Sequence, residues 1–171
     1  LTDSPADTAA APGAPIDTSA EEGPTAYGKA VELLARRAHF RAELGRKLGK
    51  KGFSEDEVEA ALDRLTDQGY LDDRAVAKSF VEAKTAREPM GRRRLMADLT
   101  KKGAPSDVAA EVLDELLPRD DRDLARAAAQ SWHRRKRRPK KAALARYLER
   151  RGFTPGSIWN VLDDFEWPEE S

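Results

Sequence analysis

The chain holds few side chains capable of covalent or metal chemistry. Its two histidines, His39 and His133, are far apart in sequence and lie in basic or apolar helical contexts without metal-ligand spacing. There is no cysteine, which removes thiolate nucleophiles, zinc–thiolate sites and disulfides. Asp72 and Asp73 could be drawn as paired metal-binding carboxylates, but Asp72 as a helix N-cap and Asp73 in the positive first turn account for both. The glycines of GRKLGKKG, residues 45–52, suggest a phosphate loop, yet no Lys-Ser/Thr pair and no strand accompany them. The sequence therefore predicts no catalytic residue, no metal site and no cofactor.

Cationic clusters are the stronger chemical signal. Arg92, Arg93 and Arg94 stand together at the start of an expected helix, where positive charge opposes the helix dipole unless something anionic approaches. Arg134, Arg135, Lys136, Arg137, Arg138, Lys140 and Lys141 put seven positive charges into eight positions around Pro139. A phosphate backbone would relieve that repulsion and release counterions. Lys101, Lys102, Arg150 and Arg151 complete the candidate binding set, as do Lys50 and Lys51 in a matching place, although all six also suit the negative end of a helix. Aromatic interleaving is thin, and Trp132, Tyr147 and Trp159 are assigned to the core by their helical spacing. This pattern favours phosphate and protein contacts over base reading.

The formal net charge is zero, but it is unevenly distributed. The first 26 residues carry five acids and no Lys or Arg, so the remaining 145 hold all 31 basic side chains against 26 acidic ones. Residues 1–26 also contain four prolines and only two large aliphatics, and are expected to form a disordered acidic tail. No apolar run approaches the roughly 18 residues of a membrane span, and a cytoplasmic location is expected.

Three windows align without gaps: KLGKKGFSEDEVEAALDRL from Lys47, DLTKKGAPSDVAAEVLDEL from Asp98 and YLERRGFTPGSIWNVLDDF from Tyr147. Their starts lie 51 and 49 residues apart, the signature of a tandem repeat. Gly52, Gly103 and Gly152 fall where a left-handed residue would stop a helix. Ser54 with Glu57 forms a capping box, and Phe53 with Val58 a hydrophobic staple; Thr154 with Pro155 repeats that grammar, and Ser106 is expected to cap one residue late. Leu71 and Val76 are expected to staple around Asp72. Apolar stripes at Val31, Leu34 and Ala38, at Val76, Phe80 and Ala83, and at Leu124, Ala128 and Trp132 supply a preceding helix in each repeat. The fold expected is all-α, with three tandem three-helix repeats in an elongated, curved array. Its divisions are a tail over 1–26, repeats over 27–70, 71–118 and 119–165, and a short acidic tail over 166–171.

These residues resemble the RecX family of RecA regulators over about Tyr27 to Phe165. The resemblance is carried by Gly69, Tyr70, Leu71, Asp72 and Asp73 followed by Ala75, Val76 and Ala77, and by Arg36, Arg37, Glu43, Leu44, Lys47, Leu48, Lys51 and Gly52. Part of the latter segment returns as Gly91, Leu95, Leu99, Lys102 and Gly103. Ala104 and Val76 depart from the family habit of a larger apolar residue and an aromatic there. The resemblance implies a cytoplasmic, non-enzymatic monomer that lies in the groove of RecA filaments on single-stranded DNA. There it would inhibit ATPase and strand exchange, and so modulate recombinational repair and the SOS response. Two other readings compete with it. One is an autonomous DNA-binding protein of helix-turn-helix-like units, acting on duplex DNA as well; the other is a helical scaffold for an unrelated acidic partner.

Overall fold

A computed structural model describes residues 24–137 and 139–167. Among these, nine α-helices follow one another and no strand occurs: α1 Ala26–Arg36, α2 Arg41–Gly49, α3 Glu55–Asp67, α4 Asp73–Thr85, α5 Arg92–Lys102, α6 Ser106–Leu116, α7 Arg122–Arg134, α8 Lys141–Arg150 and α9 Pro155–Asp163. They form three tandem three-helix units. The two tails expected from sequence lie mostly outside the described residues; α1 begins at Ala26 because the Thr25 hydroxyl accepts the Gly28 N–H at 3.1 Å.

Local sequence sets most helix ends. Ser54 and Glu57 form the capping box of α3, with the Ser54 N–H donating to the Glu57 carboxylate at 2.7 Å. Asp72 caps α4 by accepting the Ala75 N–H at 2.9 Å. Gly52, Gly103 and Gly152 adopt φ of 95°, 104° and 80°, ending the middle helix of each unit in the conformation that glycine reaches at least cost. Pro105 is itself the N-cap of α6 and makes no side-chain bond, while Ser106 is already helical, so the expected late cap at Ser106 is absent.

Each unit closes around its own core. Leu44, Leu48, Val58, Leu62 and Leu65 pack with Ala30 and Leu71 in the first. Leu95, Leu99, Ala109, Val112 and Leu113 pack with Ala77 and Val81 in the second. Leu144, Leu148, Phe153, Val161 and Leu162 pack with Ala125, Ala128 and Ala129 in the third. The expected stripes on the first helices are displaced. Val31 is exposed and Ala38 lies beyond the end of α1, so Ala30 with partly buried Leu33 and Leu34 faces the core. Ala77 and Val81, rather than Ala83, form the buried face of α4. Leu71 joins the first core while Val76 packs on the second, so this pair ties two units instead of stapling one helix.

One ion pair recurs in every unit, between the first residue of the middle helix and an aspartate 22 residues on. Arg41 meets Asp63 at 2.8 Å, Arg92 meets Asp114 at 2.6 Å and Lys141 meets Asp163 at 3.4 Å. These exposed pairs fasten the middle helix to the third one, each with a modest energy.

Consecutive units are joined by a second recurring device. The α5–α6 turn lies on the start of α2: a Cβ on Gly103 would sit 3.3 Å from the Glu43 nitrogen. The α8–α9 turn lies on the start of α5 in the same way, where a Cβ on Gly152 would come within 2.3 Å of the Arg94 nitrogen. Opposite it, a Cβ on Gly91 would stand 2.2 Å from the Gly152 carbonyl oxygen, and the Gly91 N–H donates to the Arg151 carbonyl at 2.9 Å. Among the described residues, the polar contacts between units all link neighbours along the chain, giving a linear array.

Asp73 makes the first of these joints. Phe40, the N-cap residue of α2, offers no side-chain bond, and Asp73 of the second unit accepts the Arg41 N–H at 2.8 Å in its place. Burial raises the Asp73 carboxyl above its ordinary range, outweighing the opposite pull of the Arg41 N–H and charge. A carboxyl whose folded pKa is raised binds its proton more tightly in the folded state. Its contribution to stability is therefore present at low pH and is lost as pH rises from the unfolded pKa through the folded one. Asp73→Asn keeps the acceptor oxygen and removes that titration. The variant is expected to lose less stability than the parent as pH rises across that window, as read by thermal midpoints at a series of pH values.

Candidate interaction surface

The predicted cations divide into those already engaged and those facing solvent. Arg92 is engaged by Asp114 and also donates to the Leu113 carbonyl at 3.0 Å, while Lys141 is engaged by Asp163. Arg135 and Arg151 of the third unit both reach Glu88 of the second, Arg135 at 2.8 Å. They anchor a joint as well as carrying charge. Arg151 also lies under the ring of Tyr147, 5.1 Å from its centroid. Arg93, Lys101, Arg134, Lys136, Arg137, Lys140 and Arg150 have no ion-pair partner among the described residues, and each is exposed. Arg138 lies outside the described residues. Arg134, Lys136, Arg137 and Lys140 flank the α7–α8 connection, so the run is presented on one edge of the third unit.

Charge also converges where sequence reading did not place it. A cleft of about 320 Å³ between the first and second units is lined by Arg46 of α2, Lys84 of α4 and Arg94, Lys101 and Lys102 of α5, around Phe80 and the acids Glu43 and Asp98. Arg94 and Lys101 stand seven apart on α5, so both project to the same side. Arg46 and Lys84 went unnoticed because each is an isolated cation in its own helix. Only packing of α2 and α4 against α5 brings them to the others.

The acids in the cleft are already neutralised. Asp98 Oδ1 meets Arg94 Nε at 3.1 Å, and its buried Oδ2 has Lys84 at 3.9 Å and no hydrogen-bond partner. Glu43 is held by Arg37 and by Lys47 at 3.3 Å; burial would raise its carboxyl, but these cations carry it below the ordinary range.

Both histidines are structural. His39 Nδ1 lies 2.9 Å from the Arg37 carbonyl and Nε2 lies 2.8 Å from the Lys47 ammonium. Since the ammonium can only donate, Nε2 accepts and Nδ1 carries the proton. Burial first, and the neighbouring Arg37 and Lys47 charges, hold the imidazole below its usual pKa. His133 packs its ring 5.2 Å from that of Phe165, with Nε2 buried and unpaired. Trp132 packs at the edge of the third core beside Tyr147, 6.1 Å between ring centroids. Trp159 departs from the core assignment, being 63% exposed on α9. Among the described residues, no group of three or more His, Asp or Glu is placed to hold a metal ion, and no helix is long and apolar enough to cross a membrane.

The fold and this surface define a class: an all-α tandem-repeat protein that presents cations from several helices. Residues 26–65 match the first three-helix domain of RecX and residues 72–113 the second. The regulatory protein RecX of Thermus thermophilus is 42% identical over 145 residues, covering 83% of this chain and 95% of the relative. That of Chlorobaculum tepidum is 39% identical over 132 residues, covering 75% and 81%. The chain belongs to the RecX family. The crystal structure of RecX from Lactobacillus salivarius shares the fold with a TM-score of 0.68 at 20% identity, over 81% of this chain and 93% of that one.

Proposed function

We propose that this protein is a regulator of RecA that binds RecA filaments on single-stranded DNA, lies in the filament groove as a monomer, and restrains ATP hydrolysis and strand exchange. It thereby modulates recombinational repair and the SOS response in the cytoplasm. The observation that carries this reading is the match to the Thermus regulatory protein RecX over 95% of that relative's length. A linear array of three units suits a filamentous partner. Each unit contacts a neighbouring protomer or stretch of DNA, and the tethered contacts add avidity without one large interface. Cations on the second and third units, among them Arg93, Lys101, Arg134, Arg137, Lys140 and Arg150, supply the contacts to DNA phosphates and acidic protein surface.

Arg134→Ser combined with Arg137→Ser removes two exposed cations and no ion pair recorded in the structure. The double variant is expected to need about tenfold more protein than the parent to inhibit RecA at physiological salt, on the basis of two lost charge contacts. An inhibition curve superimposable on that of the parent would exclude this run from the interaction.

A further inference from the structure

We infer that the cleft between the first and second units is a binding site for the phosphodiester backbone of single-stranded DNA. The inference rests on the filament reading above and assigns a specific ligand contact within it. Five cationic side chains from three helices converge on about 320 Å³, and the two acids among them are already paired internally. The local field is positive, and folding alone does not require it.

Comparison with the equivalent joint makes that point. The same repeat positions between the second and third units hold Ala97, His133 and Ala143 in place of Arg46, Lys84 and Arg94. Arg151, the counterpart of Lys102, is turned onto Glu88. A joint of this geometry therefore forms without a cationic cleft, so the cluster is not the means by which two units are held together. Concentrating like charge there costs stability unless an anion offsets it.

The chemistry of the lining selects the ligand. Lys84 and Lys102 hold their ammonium groups 5.5 Å and 5.2 Å from the centroid of the Phe80 ring, so the ring is covered by cations and closed to a stacking base. Contact is thus with phosphate and independent of sequence. The guanidinium of Arg46 is committed to the Lys102 carbonyl at 3.0 Å and that of Arg94 to Asp98 at 3.1 Å. The groups left to face a ligand are chiefly ammonium point charges, which suit successive phosphates better than the planar fork geometry by which arginine grips a carboxylate. The size of the cleft admits one extended strand and not a duplex. Because Arg46 belongs to one unit and the other four cations to the next, a bound strand would also fix the angle between them.

The test uses the full chain and a fluorescently labelled thymidine homopolymer, with anisotropy measured across a range of salt. Lys84→Gln with Lys101→Gln is expected to weaken binding about tenfold at physiological salt and to flatten the slope of log affinity against log salt by about 1.4, two contacts at roughly 0.7 each. Lys84→Arg with Lys101→Arg is expected to restore the slope, and Arg36→Gln, which removes an exposed cation on α1, to leave it unchanged. An unaltered thermal midpoint for the glutamine variant separates lost binding from lost folding. A parental slope in that variant overturns the site while leaving RecA regulation intact. Loss of RecA inhibition with an unchanged DNA slope also overturns it, in favour of an acidic protein surface. Cleft-dependent DNA binding by a chain that has no effect on RecA supports the site and defeats the filament reading instead.

Discussion

Gly91→Ala is expected to destabilise the protein by about 2–3 kcal/mol and to loosen the third unit from the second, an overpacking cost at the upper end of the usual range. The residue has φ of −78°, which alanine tolerates, so backbone strain at the position contributes nothing. The cost comes from space: the new Cβ would lie 2.2 Å from the Gly152 carbonyl oxygen and 2.5 Å from the Phe153 nitrogen. Both neighbours are backbone, in a turn fixed by buried Phe153, so neither can move aside as a flexible side chain would. The Gly91 N–H bond to the Arg151 carbonyl would be lost as the joint opens. Gly152→Ala adds the left-handed penalty of about 1 kcal/mol to a similar clash. Gly52→Ala isolates that penalty, since its φ of 95° is comparable and nothing lies within 4 Å of its Cβ. Urea denaturation of the three variants should rank Gly52→Ala least and Gly152→Ala most destabilised. A Gly91→Ala protein within about 0.5 kcal/mol of the parent, the range of ordinary surface changes, would contradict the packing described.

The largest single loss is expected at Phe40. It is 1% exposed and, although it immediately precedes α2 of the first unit, its ring belongs to the core of the second, with Val81, Leu95, Leu99 and Val112. Phe40→Ala should cost about 3–5 kcal/mol, through lost transfer energy and the cavity left behind. It should also uncouple α1–α3 from the rest, because Asp73 bonds to the adjacent Arg41 N–H and depends on the same placement. Phe40→Leu keeps most of the volume and should cost under about 1.5 kcal/mol. Denaturation followed by far-ultraviolet circular dichroism is expected to show one transition for the parent and a broadened or divided one for the alanine variant. Alanine and leucine variants of equal stability would place the ring outside the core.

The contrast between these residues and the helix caps shows what the sequence could convey. The capping box at Ser54 and Glu57 and the left-handed glycines at 52, 103 and 152 act within a few residues, so their spacing states their role. Phe40 and Gly91 occupy the same repeat position, four residues before Leu44 and Leu95, yet one fills a neighbouring core and the other permits backbone contact. A lone apolar residue in a link has no period from which its partner can be read. Asp73 is similar: in its own helix it looks like a first-turn acid, while its bond is to the helix of another unit.

For the cations, a usable signal went unread. Arg41, Arg92 and Lys141 stand at one repeat position, and Asp63, Asp114 and Asp163 at another 22 residues on. Opposite charges recurring together in all three units mark a pair, and that pairing distinguishes Arg92 and Lys141 from neighbours such as Arg93 and Lys140. The pairing of Arg135 and Arg151 with Glu88 carries no such repetition and depended on the fold.

Hydrolysis of ATP by the RecA of the same organism on single-stranded DNA, titrated with this protein while its affinity for the naked strand is recorded at the same salt, tests the regulatory role most directly. A RecA-filament regulator should inhibit hydrolysis at concentrations well below those that coat the DNA. Hydrolysis unaffected until the naked strand is saturated would contradict that role and leave a cationic helical-repeat protein that acts on DNA alone.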